Sequence, residues 1–211
     1  MTKTSSHPDD YIPAMGKHWL LFLYEPLTRF WGVPRVHAEL LDRARIEEGH
    51  QVLEIGCGPG DLLRAQGRRT PGVQLHGIDP DPAALRRARR KSRRAGLEVS
   101  FKQAYAGSLP FPDAVFDRVL SSLMLHHLDP EETARAVAEV RRVLRPGGEL
   151  HIVDIAGLPP GHRAARRHPQ LVGDLPARVL TTLRDAGLTD VAETGRGHRR
   201  FGDYVFYRAR A

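Results

Sequence analysis

The sequence has a single cysteine, Cys57, among its 211 residues. One thiol excludes an intramolecular disulfide framework and any zinc site built from several cysteines. Long apolar runs are also missing, because the most apolar stretch, Trp19–Tyr24, is much shorter than the roughly 20 residues that cross a bilayer. No small-residue cleavage site follows an apolar segment near the start. These absences predict a cytoplasmic protein without a membrane span.

Lysine is scarce although the chain is basic. The formal net charge is +7, yet only four of the 32 cationic residues are lysine (Lys3, Lys17, Lys91 and Lys102). A basic chain suggests nucleic acid or an acidic surface as a partner. So strong a preference for arginine is typical of a GC-rich genome, however, and charge alone therefore predicts no nucleic-acid partner.

Short apolar segments alternate with helical patterns from residue 51 onward. Five segments bounded by Gly, Pro or Asp predict strands: Gln51–Ile55, Val73–Ile78, Glu98–Phe101, Phe116–Leu120 and Leu150–Val153. Helices are predicted at 81–95 and 130–145, and the second has Asp129 as a cap and Pro146 beyond its end. This alternation predicts βαβ units and a mostly parallel sheet with helices on both faces.

The two ends of the chain depart from that alternation. Leu175–Ala186 is predicted as a helix, and strands at Val191–Thr194 and Tyr204–Tyr207 are joined by a Gly- and Arg-rich loop. These strands predict an antiparallel C-terminal hairpin on a seven-stranded, Rossmann-like α/β sheet. One domain, 1–211, is expected, with a helical cap (1–45), a cofactor-binding core (46–156), a mobile loop (157–174) and the C-terminal helix and hairpin (175–211).

The segment Glu54–Asp61 reads Glu-Ile-Gly-Cys-Gly-Pro-Gly-Asp and joins the first strand to a helix. Glycines there allow close approach of a ligand to the backbone, and the helix N-terminus adds a positive dipole. A dinucleotide loop requires a third glycine where Asp61 stands, and a carboxylate repels a pyrophosphate. No Gly-Lys-Ser/Thr follows, which excludes a P-loop. Asp79, 19 residues after Gly60, can bind ribose hydroxyls, so a nucleoside without a phosphate chain is favoured.

Five segments together resemble the motifs of class I S-adenosylmethionine-dependent methyltransferases. They are residues 52–60, Gly77–Pro80, Leu109–Asp113 with Phe116 and Asp117 close behind, Leu125–Leu128, and Leu144–Gly148. The set is most similar to the branch that contains the ubiquinone and menaquinone biosynthesis methyltransferases, and it covers about residues 45 to 156. The resemblance implies an enzyme that uses S-adenosylmethionine and releases S-adenosylhomocysteine.

The resemblance also implies a cofactor site. The glycine loop would pass beneath the methionine and ribose parts of the cofactor, Glu54 would accept from its amino group, and Asp79 would hold the ribose. The implied members are Tyr24, Glu54, Gly56, Cys57, Gly58, Gly60, Asp79, Pro80, Tyr105, Ala106, Ser121 and Ser122. Within this set Tyr24 would reach the cofactor carboxylate and Pro80 would pack on the adenine. The Cys57 thiol is expected to be a small packing group.

One position departs from the family pattern. Relatives often have an Asp-Ala pair before the Leu-Pro-Phe motif, and the Asp binds the adenine amine, whereas this chain has Tyr105-Ala106. Tyr105 is expected either to stack on the adenine or donate to a ring nitrogen, or to take no part. The backbone at Ala106 can still serve as a partner.

Methyl transfer from a sulfonium is an in-line displacement, for which the enzyme mainly supplies proximity and alignment. A base is needed only if the nucleophile loses a proton during attack. His126 and His127 follow the fourth strand at the edge where ligands bind in such folds, and they are the catalytic candidates, although they could instead cap the turn. Asp154 is expected to be structural. The histidines show no metal-ligand spacing, so no metal is predicted.

The expected substrate is a small, partly apolar methyl acceptor, enclosed by the aromatic N-terminal segment and the 157–174 loop. Two alternatives remain. An RNA or protein methyltransferase would place a basic patch beside the donor site, and a non-catalytic protein would bind S-adenosylmethionine without turning over an acceptor. The sequence leaves the acceptor atom and the oligomeric state open.

Overall fold

The structure is a computed structural model that describes residues 30–157 and 172–211. Tyr24 and most of the expected N-terminal cap therefore lie outside the described residues, as does most of the expected 157–174 loop. The division of the chain into cap, core, loop and hairpin stays a prediction.

The described residues form seven strands and five α-helices. The strands are β1 (Gln51–Ile55), β2 (Gln74–Asp79), β3 (Val99–Gln103), β4 (Phe116–Ser122), β5 (Leu144–Ile155), β6 (Thr189–Arg199) and β7 (Gly202–Arg210). The helices are α1 (Val33–Ala44), α2 (Asp61–Arg69), α3 (Pro82–Arg94), α4 (Pro130–Val143) and α5 (Leu175–Asp185), and Leu125–His127 forms a 3₁₀ turn.

The strands form one sheet in the order β3-β2-β1-β4-β5-β7-β6. The first five are parallel to one another, while β7 runs antiparallel to both β5 and β6. The predicted Rossmann-like fold with an antiparallel C-terminal hairpin is confirmed. Because the parallel strands share a direction, the carboxyl ends of β1, β2, β4 and β5 meet at one edge, called the carboxyl edge below.

The sheet is covered on both faces, and each strand supplies alternate residues to each face. On one face α1, α2 and α3 pack on side chains such as Val52, Leu75 and Val153. On the other face α4 and α5 pack on Leu53, Ile152 and their neighbours. β1 is buried along Val52–Ile55, as expected of a central parallel strand.

Helix α4 begins as predicted and ends earlier. The Asp129 carboxylate accepts from the Glu132 N–H at 2.7 Å, and Glu132 Oε2 accepts from the Asp129 N–H at 3.1 Å, which completes a capping box. The helix stops at Val143 rather than Arg145, because Leu144 already pairs with Phe116 of β4. Pro146 also disfavours helical backbone at Arg145.

The C-terminal strands are longer than predicted, and the expected Gly- and Arg-rich loop is mostly strand. Gly195 and Gly197 lie within β6, where they make room for side chains from elsewhere. A Cβ on Gly195 would meet the Arg43 guanidinium at 2.7 Å, and one on Gly197 would overlap the Tyr204 ring. These glycines therefore mark close approach inside a strand rather than a turn.

Candidate active site

The three loop glycines all have positive φ but serve different purposes. Gly56, Gly58 and Gly60 have φ of 67°, 49° and 74°. A Cβ on Gly56 would collide with Met124, and one on Gly60 would lie 3.1 Å from the Ala88 Cβ, where α2 approaches α3. A Cβ on Gly58 would meet nothing within 4 Å. Gly58 is thus the point at which the loop backbone faces open space.

Asp79, the last residue of β2, is fixed to this loop. Its Oδ2 accepts from the Gly58 N–H and its Oδ1 from the Asp81 N–H, both at 2.8 Å. The residue is only 7% exposed. Burial raises the pKa of the Asp79 carboxyl, while the two backbone N–H groups act in the opposite direction. The carboxylate therefore couples the end of β2 to the middle of the glycine loop.

Glu54 is a buried carboxyl with a missing partner. It is 3% exposed, and its Oε2 has no hydrogen-bond partner among the described residues. Burial, Asp61 and Asp79 raise the pKa of the Glu54 carboxyl well above its usual range. A buried carboxylate without a partner costs free energy, and a positively charged donor group or a bridging water beside Oε2 would offset that cost.

Asp61 stands where a dinucleotide loop has a glycine, and its carboxylate is already paired. Its Oδ1 accepts from Arg64 at 2.7 Å and from Lys91 at 2.8 Å. Glu54 and Asp79, in contrast, have no cationic partner among the described residues and leave this loop with two carboxylates to offset. Such a cradle fits a ligand that carries positive charge, as the ammonium and sulfonium of S-adenosylmethionine do, and it opposes a pyrophosphate. The residues present thus fit the implied cofactor.

Cys57 contributes to this loop through its backbone. Its N–H donates to the Ile78 carbonyl at 2.8 Å, and its Sγ lies where a Cβ on Gly77 would be 2.9 Å away. Burial, with Glu54 and Asp79, raises the pKa of the Cys57 thiol well above its usual range. The side chain is thus enclosed between β1 and β2, as a packing group would be.

The remaining expected cofactor residues lie along the same edge. Pro80 and Ala106 are half-buried, and Tyr105, just beyond β3, is 51% exposed. Ser121 and Ser122 end β4 and, by strand alternation, point to opposite faces of the sheet. Ser121 is fully buried, and its Oγ has no partner among the described residues.

His37 is a site residue that sequence reasoning missed. Its Nε2 lies 3.1 Å from Ser122 Oγ, which anchors α1 over the carboxyl end of β4. Desolvation lowers the pKa of His37 to about 4, so the imidazole is neutral at pH 7. Eighty-five residues separate the pair along the chain. No local pattern distinguishes His37 from the other histidines.

His126 and Asp154 form a dyad at the ends of β4 and β5. Asp154 Oδ1 lies 2.6 Å from His126 Nδ1, and Asp154 Oδ2 accepts from the His126 N–H at 3.2 Å. Burial lowers the pKa of the His126 imidazole, but the Asp154 carboxylate outweighs it, so the pKa is raised. With Asp154 holding Nδ1–H, Nε2 is left as the proton acceptor. His127 is exposed, and its ring centroid lies 4.0 Å from that of His126.

The turn between β4 and the histidines has unusual backbone geometry. Leu123 has φ of 53°, a left-handed conformation that costs a non-glycine residue about 1 kcal/mol or more. Its N–H donates to the Val153 carbonyl at 2.8 Å, which ties the end of β4 to β5. This geometry places Met124 over Gly56 and His126 over Asp154.

Neither a metal-binding cluster nor a membrane-crossing helix occurs within residues 30–157 and 172–211. No three His, Cys, Asp or Glu side chains there gather closely enough to hold a metal ion. No helix in those ranges has the length and apolar character needed to cross a membrane.

The fold and this edge define a class of protein. A mostly parallel sheet in the order 3-2-1-4-5-7-6, with a glycine loop after β1 and an acidic residue at the end of β2, is the Rossmann-like nucleoside-binding arrangement. Residues 52–148 match the family described as a methyltransferase domain. Over these residues the chain is therefore similar to class I S-adenosylmethionine-dependent methyltransferases.

Individual proteins with a similar sequence or fold agree with this match to a methyltransferase domain. A demethylmenaquinone methyltransferase of Thermus thermophilus is 35% identical over 139 residues, which cover 66% of this chain and 62% of that protein. Phosphoethanolamine N-methyltransferase 2 of Haemonchus contortus shares the fold with a TM-score of 0.79 at 18% identity, over 93% of this chain and 58% of that one. The [4+2]-cyclase SpnF shares it with a TM-score of 0.70 at 24% identity, over 83% and 79%. The chain thus spans less than two thirds of the curated relative.

Proposed function

We propose that this protein binds S-adenosylmethionine and transfers its methyl group to a small, partly apolar acceptor. The observation that carries the proposal is the buried Glu54 Oε2, which has no described partner and lies at the loop that Asp79 holds. The demethylmenaquinone methyltransferase similarity favours an acceptor related to a quinone, with a flat apolar ring. The cofactor would supply an activated methyl group on a sulfonium.

The chain's own residues would fix the donor in place. Glu54 would accept from the amino group, Asp79 would accept from the ribose hydroxyls, and Gly58 would let the backbone pass close beneath. Tyr105, exposed just beyond β3, would either stack on the adenine, donate to a ring nitrogen or take no part. Tyr24 stays a prediction, because it lies outside the described residues.

The transfer itself is a displacement at carbon. Bound S-adenosylmethionine would supply the methyl carbon. The acceptor's electron pair would form the new bond to it, while the electron pair of the broken carbon–sulfur bond would stay on sulfur as part of a neutral thioether. Because the leaving group is neutral, it needs no acid. When the attacking atom carries a proton, that proton passes to His126 Nε2, and Asp154 stabilises the imidazolium that results.

The fold alone does not separate methyl transfer from a protein that only binds S-adenosylmethionine. A protein named as a [4+2]-cyclase shares this fold, so the fold does not by itself settle methyl transfer. The two functions differ in one product. Only a methyltransferase converts labelled S-adenosylmethionine into S-adenosylhomocysteine in step with the modification of an acceptor.

The first experiment is a calorimetric titration of the protein with S-adenosylmethionine and S-adenosylhomocysteine, with NAD as the control ligand. We expect micromolar binding of the first two, about −8 kcal/mol, and none of NAD. Asp79→Asn keeps the shape of the side chain, removes its charge and replaces one of the two oxygens that accept from backbone N–H groups, and we expect at least about tenfold weaker binding. Asp42→Asn removes an exposed carboxylate at the far end of α1 and serves as the matched control. A folded wild-type protein that binds neither methyl-donor ligand would overturn the proposal.

A further inference from the structure

A cavity of about 580 Å³ opens between the start of α1 and the tip of the β6–β7 hairpin. Its walls are Phe30, Trp31, Arg35, His198, Arg199 and Arg200, with Gly32 and Pro34 beneath them. This volume is typical of a small-molecule site. None of these residues belongs to the donor site or to the His126–Asp154 dyad.

Strand register places this cavity at the carboxyl edge. Ile155, the last residue of β5, pairs with Tyr204, and the Ala156 N–H donates to the Asp203 carbonyl at 2.8 Å. The hairpin turn beyond Tyr204 therefore projects past the same edge as the dyad. Gly32 completes the other wall, since a Cβ there would lie 3.2 Å from Arg199 Cδ. The His37–Ser122 contact fixes α1 above β4.

The described side chains that line the cavity include several cations and no acid. His198 lies 2.7 Å from the Asp203 carboxylate and Arg199 lies 3.4 Å from that of Glu39, so both acidic partners are already used. Arg35 has no ion pair with any described residue, and Arg199 Nε is buried without a hydrogen-bond partner among them. Arg200 rests on the Phe30 ring, 4.1 Å from its centroid. The cavity therefore offers guanidinium donors beside the positive end of a helix, an arrangement that favours an anion.

The apolar part of the cavity contains an exposed aromatic side chain. Phe30 is 63% exposed, which leaves a large aromatic face uncovered next to Trp31. The exposed surface of this aromatic side chain, which also stacks under a guanidinium, packs more favourably against a flat ring than against water. Cations next to a partly exposed ring match a ligand that carries both a flat apolar body and a negative group.

We infer that this cavity holds the methyl acceptor and that the acceptor is a flat aromatic ring bearing an anionic group such as a carboxylate. The inference rests on the proposed function and narrows its substrate class. The guanidinium of Arg35 or Arg200 would bind the anion, and Phe30 and Trp31 would pack on the ring. A single-stranded RNA shares these chemical features, but it needs an extended positive track, and Glu39 and Asp203 interrupt this one.

The test compares two ligands that differ only in charge, 2-naphthoate and 2-naphthamide, by calorimetry on the full chain. We expect wild type to bind naphthoate about tenfold more tightly than naphthamide. The double variant Arg35→Gln/Arg200→Gln should lose that preference. Arg90→Gln/Arg94→Gln changes the net charge equally on the exposed face of α3 and should keep it.

Several outcomes would overturn the inference. Equal affinity for the two ligands, no binding of naphthoate, or an equal loss in the Arg90/Arg94 variant would each do so. Tighter binding of a short oligouridylate that is lost in the Arg35/Arg200 variant would assign the cavity to RNA instead. S-adenosylhomocysteine titrated into the same samples separates the two proposals. If it binds and naphthoate does not, only the cavity assignment fails, and if it does not bind, the proposed function fails.

Discussion

The two halves of the carboxyl edge differ in how their residues are brought together: one is formed by a single local segment and the other by segments far apart in the sequence. The proposed donor half, at β1 and β2, consists of glycine backbone with positive φ and carboxylates that lie within 30 residues of one another along the chain. The proposed acceptor half, at β4, β5 and β7, consists of residues brought together from distant segments, such as His37 with Ser122 and Gly32 with Arg199. They are called the donor half and the acceptor half below. Local backbone geometry defines the first half and tertiary packing defines the second.

This difference has a chemical reason. A donor common to a whole family can be held by one fixed loop, because its shape never changes. An acceptor differs from one member to the next, so its contacts must come from elements that vary independently. Substitutions in the donor half should therefore affect binding through the backbone, and those in the acceptor half through individual side chains.

The largest expected effect lies in the acceptor half, at His126. For an acceptor that loses a proton, His126→Ala should lower kcat by about 10²–10⁴-fold, while affinity for S-adenosylhomocysteine stays unchanged. The measurement is the rate of S-adenosylhomocysteine release at saturating donor. A larger loss with His127→Gln than with His126→Ala would show that the exposed imidazole is the base.

The contact between His126 and Asp154 also predicts how kcat depends on pH. A base must be neutral, and Asp154 raises the pKa of His126, so kcat should rise with pH through a step above the ordinary histidine value of about 6.5. In Asp154→Asn the carboxylate is gone and burial remains, so the step should move to lower pH. Plateau kcat should also fall, because Nδ1–H is no longer held by a charge. An unchanged pH profile in Asp154→Asn would contradict the dyad.

What the sequence could predict follows the same division. The fold, the loop glycines and Asp79 were predictable, because strand alternation and glycine spacing are local patterns. The His126–Asp154 distance, the His37–Ser122 contact and the arginine cavity were not, since each depends on residues that only the sheet order brings together. The hairpin was predicted too short for a related reason. Gly195 and Gly197 look like turn residues until Arg43 and Tyr204 are placed against them.

The next effect lies in the donor half, where two neighbouring glycines should respond differently. Gly56→Ala combines a left-handed backbone with a collision against Met124, and should lower the free energy of unfolding by about 2–4 kcal/mol. Gly58→Ala has the backbone cost alone, about 1 kcal/mol. Gly58→Ala should nevertheless weaken S-adenosylhomocysteine binding at least as much as Gly56→Ala does, because the added methyl group enters the open space beside Gly58. Urea denaturation and calorimetry on both variants measure these two quantities, and equal stability losses would contradict the assignment of Met124.

The smallest effect is expected at Cys57, between those glycines. If the donor half acts through its backbone, then Cys57→Ala should leave S-adenosylhomocysteine affinity within about twofold of wild type and lower stability by about 1 kcal/mol. Because burial raises the pKa of the thiol, the folded protein should also react with iodoacetamide far more slowly than the urea-unfolded chain at the same pH. Bound S-adenosylhomocysteine should not change that rate further, since Sγ is enclosed against Gly77 rather than turned toward the ligand. Protection of the thiol by ligand would show that a side chain, and not only the backbone, lines the donor half.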